Sequence, residues 1–476
     1  MLVLMGFYIP AKKHETRLFL LTVASLFFYL WGGVFDFLIF IFVVVVTFAS
    51  VWLASKCPRR KGFFISVGIC TLTGHLFIWK YYSSLYELIS SIYPQIPSSL
   101  SFDPPLPLGI SFFTFQGLAY LIDFYKNLTG ALSFKEFLLY KSFFPQLLAG
   151  PIVRPHELVP QIQNLKRPTL QDLQEGLIIF AIGLFKKIII ADRIFPFVDN
   201  ILNSSKSFDR TSLLMASGGI FILVWADFGG FTDMGRGCAR MLGILLPKNF
   251  LSPLFSKRPS EFWLRWHVSL GKWIKQYIYE PLSKKKSAFL NPFTAVLATF
   301  LFSGLWHGAK FTYVCSFLSF AFFILIEYVL VYLNISKFFK SFIPEIIFRL
   351  LTNFLTITLM CIFSGTFFQI RSLDSAVQYF KCLFLNPGIV HATPDVFAQS
   401  FLYMLILEII FYYNLEKSTS PNIEALKAWT QKIQHKSPKK YQLLQMGLGF
   451  FVGVSIIVCI ALRREGGPTG FIYFQF

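Results

Sequence analysis

The chain has 476 residues, of which 55% are hydrophobic, 18% aromatic and only 14% charged, with a formal net charge of +20. Soluble domains carry nearer a quarter charged residues, so a soluble globular enzyme is excluded. The positive excess reads as basic loops at an anionic membrane face, and nucleic acid is not an expected partner.

The opening "MLVLMGFYIPAKKH" is too short in apolar residues for a secretory signal and has no cleavage site, so it reads as the tail end of a first hydrophobic segment. Apolar runs then recur at 18–30, 34–54, 62–79, 106–122, 176–191, 213–225, 293–333, 346–369, 400–413 and 443–462. About 20 apolar residues cross the hydrocarbon layer. The run 293–333 is long enough for two crossings, so roughly eleven spans are predicted. The runs are continuous rather than alternating, which makes the spans helices. With no internal repeat or low-complexity linker, residues 1–476 form a single membrane domain. The seven cysteines (57, 70, 238, 315, 361, 382 and 459) are scattered, without C-x-x-C spacing, so neither a disulfide framework nor a metal site is expected.

Polar residues inside these runs need a partner or a purpose. His75 in "TLTGHLFIWK" reads as a hydrogen-bonded core histidine. Gln116 in "FFTFQ" suits either helix packing or contact with a substrate passage. Asp227 and Asp233 in "WADFGGFTDMGRG" suit either a polar lining or, preferably, structural ion pairs with Arg236 or Arg240.

The segment 246–286, "LPKNFLSPLFSKRPSEFWLRWHVSLGKWIKQYIYEPLSKKK", is too charged to span and reads as amphipathic, re-entrant or cytoplasmic. Ser260 is the expected N-cap, with Glu261 in the first turn and an i,i+4 partner of Arg265. Beyond it, Phe262, Trp263, Trp266, Leu270, Trp273, Ile274 and Tyr277 recur at helical spacing, which predicts one helix with a basic second face. A plain interfacial anchor would look much the same, except that it has no need of His267. In "FTAVLATFLFSGLWHGAKFTYV" the strongly polar side chains are His307 and Lys310, and glycines flank the Trp306–His307 dipeptide. An imidazole there can take a proton from a hydroxyl acceptor, the general-base step of acyl transfer. His14, His156, His391 and His435 lie in loops or near charges, where an imidazole needs no special account. The stretch 414–441 carries six lysines against two glutamates and is therefore placed in the cytoplasm. That sends the last span outward and leaves the tail 465–476, ending "FIYFQF", extracytoplasmic.

Five blocks, in order, carry a resemblance: "GISFFTFQGLAYLIDFYK", "FFPQLLAGPIVRPHEL", "FGGFTDMGRGCARMLGILLPKNF", "EFWLRWHVSLGKWIKQYIYEPL" and "SGLWHGAKFTYV". The sequence resembles the membrane-bound O-acyltransferase (MBOAT) family, in its bacterial alginate and peptidoglycan O-acetyltransferase branch. The resemblance implies an all-α ring of helices, with re-entrant or interfacial helices, around a central tunnel in the bacterial cytoplasmic (inner) membrane. It implies His307 as catalytic base and His267 near the cytoplasmic mouth, with Trp266, Trp306, Gln116, Asp233, Arg265 and Lys272 lining the passage or binding the donor. It also implies an acyl-CoA (acetyl-CoA) or acyl-carrier-protein thioester as donor, no bound cofactor, an extracytoplasmic SGNH or esterase-like partner, and a polysaccharide acceptor. The cations Lys257, Arg258, Lys272 and Lys275 would suit the phosphates of such a donor or an acidic carrier. The aromatic tail is similar to a C-terminal motif of this branch, which implies an acyl relay through Tyr473. Gly271, Lys275 and Gln276 depart from the serine, arginine and acid usual in relatives. A polytopic transporter or flippase without acyl chemistry is the alternative.

Overall fold

The computed structural model describes residues 13–101, 105–148, 150–284, 292–334 and 343–416. Most of the basic loop 414–441, the run 443–462 and the tail 465–476 with Tyr473 lie outside the described residues.

The described chain is almost wholly helical, and an isolated bridge between Phe208 and Val390 is the sole β pairing among the described residues. Helices of seven or more residues are α1 (His14–Gly32), α2 (Val34–Lys56), α3 (Lys61–Ile92), α4 (Ile110–Tyr125), α5 (Phe134–Ser142), α6 (Pro155–Gln163), α7 (Leu170–Phe185) and α8 (Asp192–Asn203). They continue with α9 (Arg210–Met241), α10 (Pro259–Arg265), α11 (Val268–Ile274), α12 (Pro292–His307), α13 (Phe311–Tyr332), α14 (Glu345–Leu359), α15 (Leu373–Phe384) and α16 (Asp395–Glu416).

Among the described residues five helical stretches are long and apolar enough to cross a membrane: α2, α3 with its preceding turn, α9, α13, and α14 with its continuation to Gln369. The sequence predicts about eleven. The run 443–462 lies outside the described residues, and part of the remaining difference has local causes. The run 293–333 does split into two helices, but α12 is only 16 residues long and ends at His307. The run 106–122 likewise gives the 16-residue α4, whose first residue follows a left-handed Gly109. The run 176–191 ends in a π turn, Lys186–Ala191, that carries two lysines.

That π turn has a function in packing. α7 lies against α9 through two glycine pairs, Gly176 with Gly237 and Gly183 with Gly230, in antiparallel register. A Cβ on Gly183 would sit 2.6 Å from the carbonyl oxygen of Gly230, and one on Gly237 would sit 2.6 Å from that of Gly176. Small residues let the two backbones touch, the usual basis of helix association in lipid. The π turn then swings Lys186 and Lys187 onto α9. Lys186 meets Asp233 at 2.8 Å, and Lys187 meets Asp227 at 2.6 Å and Asp192 at 2.8 Å.

The expected pairing of the α9 acids with arginines therefore holds for one of them. Asp233 does bind Arg236, at 2.6 Å. Asp227 takes Lys187 instead, because Arg236 lies about 13 Å further along the same helix axis. Arg240 turns away to Asp172 (2.5 Å) and Glu175 (2.8 Å) on α7. Removing one member of a buried pair costs about 3–5 kcal/mol, so this lattice of charges fixes how α7 and α9 face each other.

Gly183→Val is expected to abolish the α7–α9 contact, leaving little monodisperse protein on size-exclusion chromatography in detergent. Gly74→Ala on α3, where an added Cβ meets nothing within 4 Å, should behave as wild type. Equal recovery of the two variants would refute the glycine contact as a requirement of the fold.

Candidate active site

The segment 246–286 departs from the single helix that its periodicity predicts. α10 stops at Arg265 and α11 starts at Val268, with Trp266 and His267 between them. His267 adopts the left-handed conformation, φ 44°. Few side chains accept that geometry, and the surrounding hydrogen bonds show what imposes it. Leu251 N donates to Arg265 O, and Arg265 Nη1 donates back to Leu251 O, both at 2.9 Å. Past the break, Val268 N donates to Asn249 O (2.9 Å) and Ser269 N to Asn249 Oδ1 (3.2 Å). The strip 249–251 thus satisfies backbone groups on both sides of the interruption.

The N-cap assignment also changes. Arg258 is the N-cap of α10, and Ser260 lies inside the first turn. Its amide and hydroxyl donate to the Glu327 carboxylate of α13, at 2.9 and 2.8 Å. Pro259 takes the first helical position, where its missing N–H costs nothing, and this leaves Ser260 as the second helical residue, two past the N-cap. Arg265 does pair with Glu261, at 2.9 Å. Its guanidinium is occupied in fastening the break and lines none of the cavities described below.

Trp266 is packed by rings: it stacks on Phe221 (5.2 Å between centroids) and Phe262 (5.4 Å), with Phe250 edge-on at 4.9 Å. His267 is buried, 4.5 Å from the ring of Phe228 and 6.4 Å from that of Trp306. His307, the last residue of α12, is also buried, stacked on Phe317 at 4.7 Å and edge-on to Phe368 at 5.2 Å. α12 can end there because Gly308 takes φ 145° and Gly304 lets α13 fold back closely. A Cβ on Gly304 would lie 2.8 Å from Val314 Cα.

The two histidines share one cavity, with about 50 Å³ of free space, walled mainly by aromatic rings and by Trp263 and Trp266. A wider one of about 470 Å³ adjoins it across Trp263 and is lined by Lys272, Lys275 and Tyr279. A third, of about 30 Å³, adjoins on the far side across His307 and holds Trp306, Gly109, Ser111 and Lys80. Lys80 Nζ donates to Trp306 O, and the neighbouring Tyr81 hydroxyl donates to Leu305 O.

Five of the expected residues thus line this series, His267, His307, Trp266, Trp306 and Lys272, whereas Arg265 fastens the break behind it. Gln116 does not line the series. Its amide donates to Tyr140 O at 3.0 Å and borders a separate gap against Gln146 and Ile152. Asp233 lies in the polar cluster with Lys186 and Arg236. Tyr473 is outside the described residues. His75 accepts a hydrogen bond from Trp79 Nε1 at 3.0 Å, one turn on, and is half-buried. Lys80 was not singled out by the sequence. The signal was a lone lysine one residue past the apolar run 62–79, on a helix that continues to Ile92.

Fold and site define a multi-pass helical membrane protein with paired histidines at the heart of the bundle. The profile of the membrane-bound O-acyltransferase family matches residues 110–369. The chain is 30% identical over 410 residues to the peptidoglycan O-acetyltransferase of Helicobacter pylori, covering 79% of this chain and 76% of that protein. It is 32% identical over 323 residues to the probable alginate O-acetylase AlgI of Pseudomonas putida, covering 65% of this chain and 64% of that one. To the teichoic acid D-alanyltransferase of Bacillus subtilis it is 28% identical over 283 residues, covering 56% and 69%. The chain belongs to the membrane-bound O-acyltransferase family. It is an enzyme of acyl transfer, which disfavours a carrier without covalent chemistry.

A left-handed histidine leads to a stability test separate from activity. His267→Gly should keep the melting midpoint in detergent within a few degrees of wild type. His267→Val, whose branched side chain resists positive φ, should lower stability by about 1–2 kcal/mol. Matching midpoints for the two would show that the break does not constrain this residue.

Proposed function

We propose that this protein carries an acetyl group from a cytoplasmic thioester to a polysaccharide of the bacterial cell envelope. The observation that carries the reading is the series of cavities, joined across Trp263 and His307, that leads past both histidines. On this reading they are stations of one passage through the membrane domain. The wide cavity, with Lys272 and Lys275 on its wall, faces the cytoplasm and receives the donor, whose phosphates suit those cations. The segment 246–286 is then a re-entrant element rather than an anchor.

The space around the histidines favours a small acyl group. About 50 Å³ is roughly a third of the cavity that takes up a benzene ring in an engineered core. An acetyl group fits such a space, and a long acyl chain does not.

In the transfer step an acceptor hydroxyl attacks the thioester carbonyl carbon while His307 removes its proton. The new C–O bond forms as the carbonyl electrons move to oxygen. Their return breaks the C–S bond, and the departing thiolate takes the proton from His307 to leave as thiol. His267, on the donor side of the same cavity, positions the thioester.

The names of the peptidoglycan and alginate relatives support hydroxyls of an envelope polysaccharide as the acceptor class, reached on this reading through an extracytoplasmic esterase-like partner. The tail "FIYFQF" supplies the link. Tyr473 takes the acetyl group as an aryl ester, a better leaving group than an alkyl ester, and hands it to that partner.

His307→Ala should lower acetyl transfer from labelled acetyl-CoA by at least ~10²-fold while leaving membrane insertion intact. Retention of more than a tenth of the wild-type rate would rule out the base. For the relay, mass spectrometry of the C-terminal peptide, trapped without the partner, should show one added acetyl group on Tyr473. Tyr473→Phe should then abolish glycan acetylation. Normal acetylation by that variant would leave direct transfer from the His307 site as the route.

A further inference from the structure

We infer that Lys80 supplies the positive charge that steadies the oxyanion formed beside His307, an assignment that rests on the acyl-transfer reading above. Lys186 and Lys187 meet carboxylates, Asp233 at 2.8 Å and Asp227 at 2.6 Å, whereas buried Lys141 donates to the carbonyl of Phe113. Lys80 resembles Lys141 in meeting a carbonyl, but it stands beside His307. It is half-buried on α3, its ammonium donates to the carbonyl of Trp306, and it lies 5.2 Å from the centre of the Trp306 ring. Neither partner carries a negative charge. An ionisable group at membrane depth is costly and marks a site where charge is used.

Its position says where. Lys80 and His307 wall the same small cavity, and the carbonyl that Lys80 holds belongs to the residue just before His307. Acyl transfer creates negative charge in this neighbourhood when the hydroxyl adds to the thioester and the carbonyl π electrons move onto oxygen. A fixed ammonium in a water-poor cavity stabilises that charge far more than it would in bulk water. When the oxyanion collapses and the C–S bond breaks, the lysine is unchanged. The proton travels through His307 alone.

The competing account is that Lys80 only caps α12. Tyr81 argues against a need for charge in that role, since its neutral hydroxyl already holds the Leu305 carbonyl one residue earlier.

The test uses the full-length chain in proteoliposomes, with thiol release from acetyl-CoA as readout and melting midpoint as a check on folding. Lys80→Gln keeps a donor for the Trp306 carbonyl but loses the charge, whereas Lys80→Arg keeps the charge. Glutamine should lower the maximal rate by about 10²–10³-fold, with the half-saturating acetyl-CoA concentration within about twofold of wild type. Arginine should recover at least a tenth of the loss, and Tyr81→Phe should stay within about threefold of wild type. Lys80→Met, which keeps the aliphatic stem, gives the same reading should glutamine lower the melting midpoint. A glutamine enzyme within about threefold of wild type, no worse than arginine, overturns the charge role and leaves a cap. His307→Ala, run alongside, separates the two ideas. If it remains active, the acyl-transfer reading itself falls and this assignment with it. If it is silent while Lys80→Gln is active, only the assignment falls.

Discussion

Backbone groups without water must find partners inside the protein, and this constraint governs how the two histidines can be presented at all. Each stands where a helix is interrupted. An interruption exposes amides and carbonyls that the helix would have used, and each one here is closed by a separate, nearby element. The strip 249–251 satisfies both flanks of the break at His267, through the backbone of Leu251 and Asn249 and the Asn249 side chain. The end of α12 at His307 is closed by Lys80 and Tyr81 from α3. Segments distant in sequence are thereby tied to the neighbourhood of the two histidines.

Why interrupt the helices there? A residue in mid-helix offers its side chain to one neighbouring groove and is surrounded by the turns above and below. A residue at a helix end, or in the left-handed conformation, can point along the axis into free space. The π turn Met360–Gly365 belongs to the same design. It places Met360, Ser364 and Gly365 on the cavity shared by the histidines, with Phe368 one turn on. Three local departures from regular helix, at His267, at the end of α12 and at Met360–Gly365, thus meet at this centre.

Much of the architecture was legible in the sequence, because long apolar runs and charged segments are statements about solvent. The runs 34–54 and 62–79 lie within α2 and α3, and 293–333 divides into α12 and α13. The pairing of Trp-His dipeptides pointed to the two rings that the fold brings into one cavity. What periodicity could not show was the break at Trp266–His267. The aromatic residues on both sides keep helical spacing, and the cause of the break, Asn249 and Leu251, lies well upstream. Ser260 was misassigned for a related reason: its hydrogen-bond partner, Glu327, sits on another helix. The partners of Asp227 and Gln116 were likewise set by neighbouring elements, Lys187 of the π turn and the Tyr140 carbonyl of α5. Lys80 escaped notice because composition marked the end of an apolar run just where the helix in fact continues.

Charge is distributed in this protein with a clear division. The α7–α9 contact holds Lys186, Lys187, Asp227, Asp233 and Arg236 in mutual pairs, and buried Glu408 accepts from Trp225 Nε1 at 3.0 Å and from Leu254 N at 3.3 Å. Those groups are held in place by one another, which suits them to fixing helix orientation and little else. The cavity of the histidines is built the other way. Its lining has no carboxylate, and its side-chain polar groups apart from the imidazoles are the indoles of Trp263 and Trp266 and the hydroxyls of Ser316 and Ser364. Ser316 already donates to Ser364 O at 2.7 Å, and the Ser364 hydroxyl lies 2.6 Å from that of Ser319. An indole N–H can only donate. A hydroxyl entering this space therefore finds few acceptors besides imidazole for its proton. On the proposed reading the apolar walls do more than fill the core, because by withholding other acceptors they would direct an entering hydroxyl to the ring nitrogens.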